Sequence, residues 1–146
     1  MIELITQSAT ETEVFGGAIA GLLRPGDVVL LRGELGSGKT TLVRGACRSL
    51  GIDEPVTSPT FTIGHLYHGT ATVAHLDLYR FVGLSAAEWG DLEPYFDGTI
   101  AFVEWPERAG SVLPEPRVRV RLRALGDAHR LILLQGVTKP LQIGVS

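Results

Sequence analysis

One short stretch of the chain combines glycines, a lysine and threonines in a pattern that can hold a chain of phosphates. Residues 33–41 read GELGSGKTT and fit G-x-x-x-x-G-K-[ST]. The glycines allow backbone N–H groups to turn toward an anion, and the start of a following helix adds unpaired donors. The positively charged ammonium of Lys39 would contact the β- and γ-phosphates, and the Thr40 hydroxyl would bind Mg²⁺. The residues predicted to contact a nucleotide here are Gly33, Leu35, Gly36, Ser37, Gly38, Lys39, Thr40 and Thr41.

The segments around this loop have the hydrophobic patterns of a strand and a helix. Residues 28–31 are an apolar run typical of a buried parallel strand, and residues 39–50 repeat apolar side chains at helical spacing. The rest of the chain predicts a mixed α/β fold, with parallel core strands around the loop and an antiparallel extension. We expect helices over residues 8–23 and 85–91, and strands over 60–67, 71–79, 99–105, 117–125 and 129–135.

Composition limits the class of protein. The length of 146 residues predicts one domain, residues 1–146. The net charge of −3 argues against indiscriminate binding to nucleic acid or to acidic membranes. Strand-sized apolar runs and the lack of a signal-peptide pattern predict a soluble, cytoplasmic protein. Cys47 is the only cysteine, so we interpret it as a small buried hydrophobe. The chain has no asparagine, which excludes the N-K-x-D guanine motif and favours ATP over GTP.

Two carboxylates are candidates for the chemistry of hydrolysis. Glu104 ends an apolar run, where a buried strand would emerge at the carboxyl edge of the sheet. Its alternative is a structural pair with Arg108. Asp77 alternates with Leu76 and Leu78, so it shares one strand face with His75, and that face is either part of the site or solvated.

Two further polar groups have open interpretations. Thr60 could sense the γ-phosphate through its hydroxyl, or it could be an ordinary turn residue before a strand. His65, His68 and His75 are loosely spaced without a completing cysteine or acid, so we favour structural or surface roles over a metal site.

Four arginines alternate with apolar residues near the end of the chain. At a period of two, their guanidinium groups would lie on one strand face about 7 Å apart. This row could track a phosphate backbone or an acidic partner, or it could protect an edge strand against pairing. Because the overall charge is negative, we favour protection of an edge strand. The four residues are Arg117, Arg119, Arg121 and Arg123.

Taken together, these motifs resemble those of the bacterial TsaE (YjeE) family, small P-loop ATPases of tRNA threonylcarbamoyladenosine (t6A) biosynthesis. The resemblance extends from about residue 8 to residue 130. It rests on the P-loop and on three later motifs, in the family's order and with similar spacing. These are Ser-Pro-Thr-Phe at 58–61, His-Leu-Asp-Leu-Tyr-Arg at 75–80 and Val-Glu-Trp-Pro-Glu-Arg at 103–108.

The resemblance implies a three-layer P-loop NTPase-like fold with a mostly parallel central sheet, helices on both sides and an antiparallel extension. It implies binding of ATP, coordination of Mg²⁺ by Thr40 and Glu104, a switch-like loop containing Thr60, and a need for Asp77 in hydrolysis. Lys39 would contribute to catalysis through the phosphates, and Arg130 would lie near the nucleotide. The implied partners are TsaD and TsaB, with tRNA bound directly or through their complex.

Three functions therefore compete. The first is a P-loop ATPase, weak alone and dependent on its partners, that supports t6A modification. The second is a nucleotide-sensing assembly module whose hydrolysis is incidental. The third is a small-molecule kinase, which the chain favours less because no arginine-rich lid is evident between the predicted strands.

Overall fold

A seven-stranded mixed sheet with helices on both faces forms the centre of the protein, which we describe from a computed structural model over residues 1–59 and 62–136. The strands are β1 (Ile2–Thr6), β2 (Val28–Arg32), β3 (Gly64–His68), β4 (Thr72–Asp77), β5 (Ile100–Glu104), β6 (Val118–Gly126) and β7 (His129–Gln135). The helices are α1 (Ala9–Ala20), α2 (Lys39–Ser49) and α3 (Ala86–Leu92), with 3-10 turns at Glu93–Phe96 and Pro106–Ala109.

The strand order across the sheet is β1-β7-β6-β2-β5-β4-β3. Strands β6, β2, β5 and β4 pair in parallel, while β3 pairs antiparallel with β4 at one side and β7 and β1 add antiparallel strands at the other. The predicted α/β class is confirmed, with a parallel centre and antiparallel extensions. The strand that leads into the P-loop, β2, lies in the middle of the parallel group.

Apolar side chains on alternate positions of the strands build two cores, one on each face of the sheet. The larger core joins α1 and α2 to the sheet through residues such as Phe15, Leu42 and Phe102, all fully buried. Cys47 belongs to it, and burial raises the pKa of its thiol to about 12, so its interpretation as a small buried hydrophobe is confirmed. The smaller core lies under α3 and the two 3-10 turns and includes Leu92 and Val103. No helix in the described ranges is long and apolar enough to cross a membrane.

The first strand was not predicted. Residues 2–6 read IELIT, in which Ile2 and Leu4 point toward the larger core and Glu3 and Ile5 point away from it. This alternation is the signal that identifies the strand. A run of five residues is too short to specify a partner, and only the pairing with β7 makes it the edge of the sheet.

The position of β6 corrects the interpretation of the arginine row. This strand pairs with β7 on one side and with β2 on the other, so it lies inside the sheet. Protection of an edge strand is therefore the wrong explanation for Arg117, Arg119, Arg121 and Arg123. The error has a physical cause: hydrophobic alternation reports which face of a strand is buried, and it does not report which strands are its neighbours.

Two glycines let α1 and α2 pack with their backbones in contact. A Cβ built on Gly45 would lie 1.9 Å from the carbonyl oxygen of Glu13, and one on Gly16 would lie 2.0 Å from that of Leu42. Since the obstacles are backbone atoms, no side-chain rotation can make room. The contact is reinforced by Arg48, whose guanidinium is 2.9 Å from the Glu13 carboxylate. The helix that follows the P-loop is thus held against α1.

Gly45→Ala is expected to lower the free energy of unfolding by about 2–3 kcal/mol, because the added methyl group must push the two helices apart. Gly90→Ala is the matched control, since Gly90 also lies within a helix and a Cβ there would have no atom within 4 Å. The control should change stability by about 1 kcal/mol or less, in the stabilising direction. Urea denaturation of both variants measures the difference. Equal stabilities would contradict the close contact of α1 and α2.

Candidate functional site

The P-loop joins β2 to α2 through glycines in backbone conformations that other residues rarely adopt. Gly36 has φ +78° and Gly38 has φ +104°, both in the left-handed region. Gly38 is the N-cap of α2, and the helix begins at Lys39 without a side-chain cap and without an acidic residue in its first turn. The positive end of the helix dipole is therefore left without a side-chain acceptor, which suits an anionic ligand.

The loop and the carboxyl ends of neighbouring strands form one cleft. It brings together Asp77 from the end of β4, Glu104 from the end of β5 and Arg130 from β7. Gly33 lines an adjoining depression, and Thr60 lies outside the described residues. The P-loop residues that line the cleft are Glu34, Leu35, Gly36, Ser37, Gly38, Lys39, Thr40 and Thr41, and Ser58 and Trp105 complete its wall.

The Lys39 side chain is hydrogen-bonded to backbone carbonyls of the P-loop itself. Its ammonium donates to the carbonyl oxygens of Gly33 and, at 3.2 Å, Glu34, and it lies 4.4 Å from the centroid of the Trp105 ring. Burial lowers the pKa of Lys39, and the nearby carboxylates of Glu104, Asp77 and Glu107 oppose that shift. A phosphate group would supply the missing counter-charge and compete with the loop carbonyls for this ammonium.

Glu104 connects three elements at the floor of the cleft. The Thr40 hydroxyl at the start of α2 donates to its Oε2 at 3.1 Å, and His75 Nε2 on β4 is hydrogen-bonded to the same oxygen at 2.6 Å. The alternative pairing with Arg108 is wrong. That guanidinium lies over the rings of Tyr79 and Trp105 instead, at 5.4 and 5.8 Å. The carboxylate is buried and directed at the P-loop threonine.

His75 belongs to the site through its contact with Glu104, and this agrees with the structural role that the sequence interpretation favoured over a metal site. It is completely buried, and the only hydrogen bond of its side chain in the described ranges is to Glu104. Its Nδ1 is buried without a partner in the same ranges, so the tautomer with its proton on Nε2 leaves only an acceptor unpaired. The alternation that placed His75 and Asp77 on one face was the signal that could have identified it.

Asp77 is placed beside Glu104 by the parallel register of β4 and β5. Its carboxylate accepts a hydrogen bond from the Ser58 hydroxyl at 3.2 Å and another from the Tyr79 backbone N–H at 2.9 Å. Because His75 on the same face is fully buried and Asp77 lines the cleft, the solvated-face interpretation is wrong. The segment before β3 therefore contacts the carboxylate through Ser58.

Arg130 reaches the P-loop from the far side of the sheet. One of its guanidinium nitrogens donates to the carbonyl oxygen of Gly36 at 3.1 Å. The other donates to the carbonyl oxygens of Asp127 and His129, each at 2.8 Å. This pairing with the turn between β6 and β7 fixes the side chain against the loop and adds a second cation, besides Lys39, to the lining of the cleft.

The donor set at this cleft is suited to a hard cation rather than to a soft one. No group of three histidine, cysteine or acidic side chains that could hold a metal occurs within residues 1–59 and 62–136. A hydroxyl and a carboxylate oxygen do converge, from Thr40 and Glu104. Magnesium is usually bound through one or two such protein oxygens, with phosphate and water completing its coordination. These two residues therefore fit a magnesium ion that arrives with a nucleotide.

Comparison with known proteins identifies a family. The sequence profile described as "Threonylcarbamoyl adenosine biosynthesis protein TsaE" matches residues 6–132. The chain is 41% identical over 129 residues to the tRNA threonylcarbamoyladenosine biosynthesis protein TsaE of Treponema pallidum, covering 88% of this chain and 96% of that one. It is 44% identical over 117 residues to the Streptomyces coelicolor protein of the same name, covering 77% and 79%.

A solved structure supports the same relationship. The crystal structure of Bacillus subtilis YdiB superimposes with a TM-score of 0.74 and 34% sequence identity, covering 90% of this chain and 82% of that chain. The Bacillus subtilis TsaE sequence is 37% identical over 134 residues. The motifs of the loop and strand ends, the order of elements and these similarities agree, and the chain belongs to the TsaE family of tRNA threonylcarbamoyladenosine biosynthesis proteins.

Proposed function

We propose that this protein binds ATP with Mg²⁺ and hydrolyses the ATP in support of t6A modification, acting with the TsaD–TsaB pair. The observation that carries the proposal is the convergence of the Thr40 hydroxyl and the Glu104 carboxylate, 3.1 Å apart, beside a P-loop lysine. The family membership supplies the pathway. With tRNA as the modified molecule, the cytoplasm is the expected compartment.

The P-loop is the proposed seat of the triphosphate. Its glycines and the uncapped start of α2 offer backbone donors, and Lys39 and Arg130 both supply positive charge to the cleft. On binding, the Lys39 ammonium would exchange its hydrogen bonds to the loop carbonyls for hydrogen bonds to phosphate. This exchange also relieves part of the cost of burying its charge.

Thr40 and Glu104 are the proposed magnesium ligands, and His75 is the proposed positioning residue for Glu104. When bound, the ion would neutralise charge that develops on the phosphate oxygens. His75 holds the carboxylate at 2.6 Å, which limits its rotation. A second partner of this kind orients a ligand and tunes its basicity.

Asp77 is the proposed residue that orients the attacking water. It lines the cleft beside Glu104 and is fixed by the Ser58 hydroxyl and the Tyr79 amide. Thr60, two residues after Ser58, is proposed to sense the γ-phosphate through its hydroxyl. A contact between Ser58 and Asp77 would let this segment respond to the state of the nucleotide.

The function is tested by measuring phosphate release from ATP with the purified chain, alone and with the TsaD–TsaB pair. We expect slow hydrolysis alone and a several-fold increase with the pair. No increase on adding the pair would contradict the partner-dependent ATPase. Glu104→Gln keeps the size of the side chain and should bind ATP but lose the increase. If that variant still supports t6A formation, nucleotide sensing without hydrolysis is the correct function.

Lys39→Ala is expected to weaken ATP binding by about 10- to 100-fold, because it removes a charge-assisted contact to phosphate. Arg48→Ala is the matched control, since it removes a cation from the other end of the same helix, where it pairs with Glu13. Titration with a fluorescent ATP analogue measures both affinities. An unchanged affinity in the Lys39 variant would contradict the proposed seat of the triphosphate.

His75→Phe fills most of the buried space but removes the hydrogen bond to Glu104. We expect the Mg²⁺ concentration needed for half-maximal nucleotide binding to rise by about 10-fold, the usual effect of losing a partner of a metal ligand. His65→Phe is the control, since His65 is the register partner of His75 on β3 and is only half-buried. If both variants need the same Mg²⁺ as the parent, His75 has only a packing role.

A further inference from the structure

Within residues 1–59 and 62–136, half of one sheet face has no helix packed on it. The helices α1 and α2 cover one face, while α3 and the 3-10 turns cover the other face over β4, β5 and part of β2. The core under α3 contains no residue of β6, β7 or β1. Within residues 1–59 and 62–136, therefore, these three strands have an inner side that is packed and an outer side that is bare.

Arginine dominates this bare side. The register places Arg121 of β6 between Arg32 of β2 and Leu133 of β7, and places Arg123 beside Leu131. We name these residues, together with Arg119, the arginine face. Its four arginines are exposed, and none of them forms an ion pair or a side-chain hydrogen bond with any residue in the ranges 1–59 and 62–136.

The arrangement carries an electrostatic cost. Neighbouring strands are about 4.8 Å apart and alternate residues about 7 Å apart, so the four guanidinium groups repel one another at short range. Because β6 is an interior strand, its charges do not prevent edge pairing. A surface that retains repulsive charges with no structural use is well explained by a ligand of opposite charge.

The apolar content of the face indicates a protein rather than a nucleic acid as that ligand. Leu131 and Leu133 are half-buried beside the arginines, and Ile5, next to Leu131, is 56% exposed. None of β6, β7 and β1 carries a phenylalanine, tyrosine or tryptophan to stack on a base, and the one ring on these strands is the His129 imidazole at the start of β7. Glu3 projects beside Leu133, where its charge would repel a phosphate backbone. Arginine mixed with apolar groups is typical of the centre of protein interfaces.

The dimensions fit a single helix. The outer side of β6, β7 and β1 spans two strand spacings, about 10 Å, which is close to the diameter of an α-helix with its side chains. The other half of this sheet face is covered in the same way, by α3. A helix with carboxylates along one side and apolar residues along the other would match the charge and the apolar content together.

We propose that the arginine face docks an acidic amphipathic helix of a protein partner. The carboxylates would face Arg32, Arg119, Arg121 and Arg123, and the apolar side would face Leu131 and Leu133. The arginine face adjoins the proposed nucleotide site. Arg32 directly precedes Gly33 in the chain, and Gly33, Arg121 and Arg123 line one depression. Docking there would place a partner against the P-loop.

The choice of partner for the test rests on the proposed function, so the TsaD–TsaB pair is the probe. The double variant Arg119→Glu/Arg121→Glu should raise its Kd for the pair by about 10-fold or more, because like charges would then oppose the carboxylates. Arg24→Glu is the control, since Arg24 is exposed in the turn before β2, away from this face. It should leave the Kd within about twofold, as expected for a peripheral charge.

The outcomes separate the two proposals. If the parent chain does not bind the TsaD–TsaB pair, the part of the proposed function that names this pair as the partner is wrong. If the parent binds and the double variant binds equally well, the docking proposal is overturned. Both variants should keep the parent's ATP affinity without the pair, which verifies that the fold is intact.

Other occupants of the face give different results. A double variant that lost affinity for purified tRNA but kept its affinity for the pair would identify RNA as the ligand. Loss of self-association alone would identify a second copy of the chain. If ending the chain at Gly136 lowered stability, and the charge reversals lowered it no further, residues 137–146 would be the occupant. Each of these three results overturns the proposal.

Discussion

The buried carboxylate of Glu104 is the interaction on which the geometry of the site depends. It ends β5, accepts from Thr40 at the start of α2, and is hydrogen-bonded to His75 on β4. A strand end, a helix start and a neighbouring strand are thereby held at one point. Burying a carboxylate is costly unless it is hydrogen-bonded, and here a hydroxyl and an imidazole both bond to one of its oxygens, Oε2. The free-energy cost of burying this carboxylate favours a functional role for Glu104.

The helix that carries Thr40 is positioned from the opposite direction by packing. Backbone contact at Gly16 and Gly45 sets the distance of α2 from α1, and the apolar face of α2 sets its height above the sheet. Only then does the left-handed Gly38 lead β2 into the helix at the right place. The conformation of the P-loop therefore depends on helix packing as well as on its own glycines, since the loop has to span the gap between β2 and α2 that packing defines.

The two faces of the sheet have different roles. One is filled by α1 and α2 and holds the larger core. The other is covered by α3 over β4 and β5, and no described element of the chain covers it over β6, β7 and β1. This half of the face carries half-buried leucines and arginines that form no ion pair with the described part of the chain. It adjoins the cleft in which we propose that the nucleotide binds. A partner seated there would lie beside a depression that is lined both by P-loop residues and by Arg32, Arg121 and Arg123.

Sequence alone determined the α/β class, the glycine-rich loop between β2 and α2, the helices and most strands, because these depend on the local spacing of apolar residues and glycines. It also identified Glu104 and Asp77 as candidate groups, since a carboxylate at the end of an apolar strand is a local pattern. Tertiary structure decided that His75 holds Glu104, that Arg108 does not, and that β6 lies inside the sheet. Each of these depends on which strands become neighbours. The order of strands in the sheet is set by packing between segments far apart in the chain. Alternation of apolar and polar residues within one strand does not predict that order.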